Sequence, residues 1–530
     1  MTVHHDADGV YAVLSSLDLP CYVVAVGGRV GATHERPAPG SATTLLAAAG
    51  PLPPHRLGSA AFARHHGVRS AYMAGAMAGG ISGEDLVVAL SRAGHLASFG
   101  SAGLPASRLR EALGQLENRL GDASYACNLI HSPMAPEAER TCVDLCLRHR
   151  VRCVEASAFV QLTPDLVRYR LTGLRTDPGG GVRAGHRVIA KISRPETAEL
   201  FLRPAPEELV AELLARGGIT AEQATLARSV PMADDITVEA DSGGHTDRRP
   251  LTVLLPAIAR LRDRLGRTHP GGDPVRLGAA GGIGTPRAVA AALALGADYV
   301  VTGSVNQGSV EAGTSPSVKR LLAEAGLADC VMAPAADMFE QGVTVQVLGR
   351  GTLFPSRAGR LYRLYRDHPG LDSLPAVEQR RLERTFGMSV DRVWQETTDY
   401  LKDRHPERLV RAQQDPKHRM AMVFRWYLAM ASRWATSGVD DRAEDWQIWC
   451  GPAMGAFNDW TADSALAAPE RRHVTAIAEH LLRGAAYHRR LDQLRAAGVR
   501  IPDSCAEYRL PAPPVPRQAG VRDTAPRARR

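Results

Sequence analysis

Three segments of this chain decide its reading: Ala-Asp-Ser-Gly-Gly-His at residues 240–245, Gly-Ala-Ala-Gly-Gly-Ile-Gly-Thr-Pro at 278–286, and Gly-Ala-Asp-Tyr-Val-Val-Thr-Gly-Ser at 296–304. Each glycine-bearing turn follows directly on a short apolar run of β type. Glycine there lets the backbone come within hydrogen-bonding distance of a phosphate, which a Cβ would obstruct. The second and third turns fit a phosphate site formed after the seventh and eighth strands of a (β/α)8 barrel. The first puts a histidine at the mouth of the same barrel.

Working outward, short apolar runs alternate with helical patterns from Ser70 onward. The predicted strands are 70–75, 95–100, 124–130, 152–159, 186–193, 235–240, 275–280 and 298–303. Eight is the number that closes a parallel barrel. Amphipathic segments at 105–120, 136–150, 252–265 and 286–295 fall between them, and this alternation argues for an α/β fold with a parallel sheet. Pro286 occupies a first-turn position after Thr285 as N-cap. The stretch 199–232 is longer than a simple crossover and predicts a helical excursion.

The expected domains are an N-terminal extension (1–69), the barrel (70–313), a mainly helical subdomain (314–510) and a disordered tail (511–530). The extension shows one strand-like run, 21–26, ending at Gly27-Gly28. All six tryptophans lie between 394 and 460, which predicts a helical subdomain with its own core. The last twenty residues hold five arginines, one aspartate and five prolines, a composition that cannot build a core.

The 530 residues carry a formal charge of +8, and only 5% are aromatic. No basic stripe is interleaved with aromatic residues, so the pattern argues against nucleic-acid binding. The charge suits a partner bearing phosphates or an acidic carrier domain, and equally a plain solvated surface. No apolar run reaches the roughly 20 residues that span a bilayer, and the N-terminus has no secretory pattern; a cytoplasmic protein is expected. The eight cysteines include no Cys-x-x-Cys pair. Cys142 and Cys146, four apart, read as neighbours on a reduced apolar helix face rather than as metal ligands. A homodimer is the default assembly.

Further candidates lie at strand ends. Met73–Gly80 offers only small residues and methionines after the first strand, a loop against which a planar ring can lie. Asn128 ends the third strand and Lys191 lies in the fifth; both could contact a flavin's pyrimidine edge. An ion pair with Glu155 or Glu239 is an equal alternative for Lys191. His245, on its Gly243-Gly244 loop, can bond a substrate carbonyl or transfer a proton.

The turns at 74–80, 240–250, 278–286 and 296–304 resemble the nitronate monooxygenase (2-nitropropane dioxygenase-like) flavin barrel. The chain is more specifically similar to the PfaD family, the trans-acting enoyl reductases of polyketide and polyunsaturated fatty acid synthases. The residues carrying that likeness are 240–247, Ala190-Lys-Ile-Ser-Arg-Pro195, 306–315, Met332-Ala-Pro-Ala-Ala-Asp-Met338, 341–347 and 451–460. The resemblance implies FMN as cofactor, NADPH as hydride donor, and enoyl groups on acyl carrier protein as substrate. It implies His245 as the catalytic histidine. Gly281, Gly282, Gly303 and Ser304 would hold the FMN phosphate. Ala74, Gly75, Met77 and Asn128 would line the ring, with Lys191, Gly243 and Gly244 beside it. The family pattern expects Asn where Arg248 stands. Nitronate oxidation, with His245 as base, and a non-catalytic scaffold of a synthase are the rival readings.

Overall fold

The computed structural model describes residues 1–133, 135–266 and 274–512; the expected tail lies outside the described residues from 513 onward. Eight parallel strands close into a barrel. They are β1 (Tyr72–Ala74), β2 (Leu96–Phe99), β3 (Ala126–Ile130), β4 (Cys153–Ser157), β5 (Arg187–Ile192), β6 (Asp235–Glu239), β7 (Arg276–Ala280) and β8 (Tyr299–Thr302). Each falls inside one of the predicted runs. Every residue of β1, β2, β4, β6, β7 and β8 is buried, because helices cover the outer face and side chains fill the lumen. The ring closes through β8, whose Val300–Thr302 pair in parallel with Tyr72–Ala74 of β1.

The lumen is packed at its floor. The ring of Tyr299 occupies the space where a Cβ on Gly278 would sit, and it stacks on Phe62 with ring centroids 4.2 Å apart. Helices follow the strands as their signals require: Thr285 caps the helix Pro286–Ala294 by accepting from the Ala288 N–H. The excursion between β5 and β6 consists of three helices, Pro195–Leu202, Glu207–Ala215 and Ala221–Leu226. Cys142 and Cys146 are buried on one helix face, and Cys127 of β3 joins them, all three as free thiols.

The N-terminal segment holds more structure than its one predicted strand. A helix, Ala7–Ser15, precedes an antiparallel sheet in the order Arg29–Thr33, Cys21–Val26, Thr43–Ala49. Arg490, wholly buried on the helix Val474–Ala496, ties this segment to the far end of the chain. Its guanidinium donates to the carbonyls of Leu14, Ser16, Leu17, Leu19 and Gly50 at 2.7–3.2 Å.

After β8 the chain forms a hairpin, Cys330–Pro334 with Thr344–Leu348, and then helices from Phe354 to Ser437. The tryptophans do not share one core. Trp394, Trp426, Trp434 and Trp449 pack against the cluster built by these helices. Trp446 belongs to the barrel's own cluster and Trp460 packs on it, while Trp434 touches both clusters. Among the described residues no helix is long and apolar enough to cross a membrane.

Candidate active site

The turns after β6, β7 and β8 meet at the C-terminal mouth of the barrel. Gly281 and Gly282 have φ of +87° and +71°. A Cβ on Gly281 would stand 2.7 Å from the Ala240 carbonyl, whereas Gly282 and Gly303 face open space. Gly303 leads into the short helix Ser304–Gln307. Among the described residues, the N–H groups of Gly281, Gly282, Gly303 and Ser304 have no acceptor. Four unspent amide donors on two adjoining turns are able to receive an anion.

The segment 449–453 seals this site from behind. Gly451 donates its N–H to Ser304 Oγ at 3.1 Å, and the Ala453 carbonyl lies against Gly284. Gly243 packs on the same segment; a Cβ there would stand 3.2 Å from the Cys450 backbone. One crossing thus binds the histidine loop to the phosphate turns.

His245 lies part-buried at the rim. Its Nε2 is 3.1 Å from Asp337 Oδ1, and its ring centroid is 6.0 Å from that of Trp449. Burial would raise the Asp337 carboxyl, but the hydrogen bond to His245, the charge of His245, a backbone N–H and the charge of Arg425 together outweigh it and hold the acid below its ordinary value. With Nε2 turned to Asp337, Nδ1 is the nitrogen left for a ligand. Sequence reasoning missed Asp337, although it stands inside the Ala335-Ala-Asp-Met338 string; 92 positions separate it from His245.

Beside the turn after β8, the loop after β1 is pinned through its backbone N–H groups. Gly75 N–H donates to Thr302 O at 3.0 Å, Ala76 N–H to Glu155 Oε2 at 2.9 Å, and Met77 N–H to Ser82 Oγ at 2.8 Å. Gly75 and Met77 stand at the mouth; Ala74 is wholly buried in the core cluster. Asn128 turns its amide donor to the Glu155 carbonyl at 3.0 Å and to Ser157 Oγ at 2.9 Å, so that nitrogen is spent on β4. Lys191 Nζ lies 3.4 Å from Glu239 Oε1, the ion-pair alternative. Burial works against this ammonium, yet Glu239 and Glu155 together hold its pKa above the ordinary lysine value. Gly244 lies over Glu239, a Cβ there standing 3.7 Å from Oε1.

Arg248 has φ +54°, the left-handed region that Asn tolerates and Arg resists. The departure from the family pattern is therefore a change at a backbone-restricted position. Arg248→Asn is expected to stabilise the protein by about 0.5–1 kcal/mol, read as a rise in thermal midpoint. A fall in the midpoint would mean that the arginine side chain makes a compensating contact.

Fold and site together define a (β/α)8-barrel protein with four unpartnered amides and a histidine at its mouth. Over 447 residues the chain is 50% identical to one of the subunits of the polyunsaturated fatty acid synthase of Thraustochytrium sp., a match covering 83% of this chain and 30% of that protein. It is 45% identical over 428 residues to the polyketide biosynthesis protein PksE of Bacillus subtilis, covering 80% and 55% respectively. The crystal structure of the enoyl reductase domain of MlnA, from the macrolactin cluster of Bacillus amyloliquefaciens, superposes with a TM-score of 0.79 at 38% identity. That match covers 83% of this chain and 99% of the domain. The chain belongs to the PfaD-like family of enoyl reductases of polyketide and polyunsaturated fatty acid synthases. It spans about a third to a half of the length of these two curated relatives. Residues 368–446, within the helices that follow the hairpin, match the family described as acyl-carrier-protein S-malonyltransferase, inserted helical domain.

Proposed function

We propose that the chain reduces the α,β-double bond of enoyl thioesters carried by acyl carrier protein, with FMN as cofactor and NADPH as electron source. The observation that carries this reading is the joining of His245 to four unpartnered amides through the single segment 449–453. Membership of the enoyl reductase family supports the reaction class, and synthase relatives support a carrier-bound substrate.

The residues present fit the cofactor. Gly281, Gly282, Gly303 and Ser304 would take the phosphate on their free N–H groups. Gly75 and Met77 offer a rigid floor for a planar ring, and Lys191 offers a cation at its edge. When bound, FMN supplies relay of a hydride from the nicotinamide to the β-carbon of the enoyl group.

The chain's own residues handle charge and proton. Hydride addition leaves negative charge on the thioester oxygen, and a donor aimed there lowers the barrier. His245, through Nδ1, is placed to be that donor or to deliver the proton taken up at the α-carbon. Asp337 fixes the orientation of its ring. Trp449 packs beside the imidazole.

The test is spectroscopic. Purified protein is expected to be yellow, to bleach with NADPH in the absence of oxygen, and to recover colour when crotonyl-pantetheine is added. Normal bleaching without recovery on any enoyl thioester would overturn the reductase reading. Recovery on a nitroalkane with oxygen instead would favour nitronate oxidation.

A further inference from the structure

Glu155 sits in β4 with no solvent exposure. A buried carboxylate is costly unless its oxygens are bonded. Oε2 accepts the Ala76 N–H at 2.9 Å, but Oε1 is buried without a partner. That oxygen faces the ring-floor loop: a Cβ placed on Gly75 would stand 3.5 Å from it.

The neighbouring donors are committed elsewhere. The Asn128 amide donates to the Glu155 carbonyl and to Ser157. Lys191 leans to Glu239. An acceptor is therefore left over beneath the loop after β1, within electrostatic reach of an ammonium that still has N–H groups to offer. A complementary ligand edge must present a donor flanked by an acceptor. An imide has that order, carbonyl, N–H, carbonyl, with an acceptor on both sides of the donor; an amine and a carboxylate do not.

We propose that Glu155 accepts the imide N–H of the bound flavin ring, with Lys191 donating to the adjacent carbonyl. This rests on the flavin reading above and adds a selection rule: the site discriminates against a ring whose imide nitrogen carries no hydrogen. Burial of Glu155 makes the rule strict, since a methyl group on that nitrogen would leave Oε1 unbonded and crowd Gly75. Hydrogen bonds to charged groups contribute about 1.5–3 kcal/mol, so the expected discrimination is roughly 10- to 100-fold in Kd.

The experiment compares FMN with N3-methyl-FMN on flavin-depleted chain, with binding read from quenching of flavin fluorescence. Wild type is expected to prefer FMN by that factor. Glu155→Ala is expected to bind the two flavins alike, and Glu155→Gln to keep part of the preference through its amide oxygen. Equal binding by wild type, or an undiminished preference in Glu155→Ala, would overturn the proposal while leaving flavin use intact. Binding of neither flavin by wild type would instead remove the flavin reading and this inference with it. If Glu155→Ala does not fold, the wild-type ratio and the Glu155→Gln ratio decide the matter.

Discussion

His245→Ala is expected to keep its flavin, to bleach with NADPH at the wild-type rate, and to recover colour on enoyl thioester about 10²–10³-fold more slowly. The magnitude is that of a general acid or of one transition-state hydrogen-bond donor. The selectivity follows from geometry. The amides proposed to hold the phosphate belong to Gly281, Gly282, Gly303 and Ser304, and none of these bonds to the imidazole. The loop position is held by the Gly243 backbone against Cys450 and Gly451, not by the His245 side chain, which reaches outward to Asp337. Deleting the ring thus removes a donor without disturbing those amides. Stopped-flow absorbance separates the two half-reactions. Unchanged recovery would take His245 out of the chemistry, and loss of flavin would show that the ring supports the binding site.

The barrel was legible because each strand is an apolar run buried on both faces, and each turn carries its own punctuation. Two strands of the N-terminal sheet were not. Arg29–Thr33 is joined to Cys21–Val26 by Gly27-Gly28, both at positive φ, a two-residue hairpin signal. Its Arg-Val-Gly-Ala-Thr sequence, however, has little β character. Thr43–Ala49, with its run of alanines, has no strand signal of its own and becomes one by pairing with Cys21–Val26. The tryptophans misled for a related reason. Sequence proximity grouped Trp446 and Trp460 with the rest, but the fold places them in a different core.

The site was legible in the residues that turns and loops announce, and opaque where partners come from afar. Gly243–His245, Gly281-Gly282 and Gly303-Ser304 stand out locally. Nothing in the sequence couples them to 449–453, which the fold brings from beyond the helical insertion. Glu155 was visible as a single acid in an apolar strand. Its role as an acceptor became visible only once Asn128 and Lys191 were seen to be engaged with other groups.

Asp235→Ala is expected to destabilise the protein by about 3–5 kcal/mol, a larger stability effect than that of Arg248→Asn, with no direct change at the mouth. Asp235 opens β6 and Arg276 opens β7, at the barrel floor opposite His245. The carboxylate accepts from Arg276 at 2.5 and 3.1 Å and from His66 Nε2 at 2.8 Å, with all three side chains buried. Removing it leaves a buried guanidinium and a buried imidazole without their acceptor. The pH dependence gives the prediction a second edge. Burial would raise the Asp235 carboxyl, but His66 and Arg276 outweigh it and hold it below its ordinary value. A carboxyl depressed on folding contributes stability that is complete above its unfolded pKa, about 3.9, and is lost as pH falls through the folded value. The gap between wild type and Asp235→Ala should therefore be full at pH 7 and narrow below about pH 4. His66 adds a separate acid loss: burial, opposed by Asp235, keeps its pKa below that of a free histidine. The unfolded chain takes up that proton from about pH 6.5 downward, before the folded chain does. Wild-type thermal midpoints should accordingly begin to fall near about pH 6.5 and fall further below about pH 4. A gap that stays constant from about pH 7 to about pH 3 would show that Asp235 acts by filling space and not by its charge.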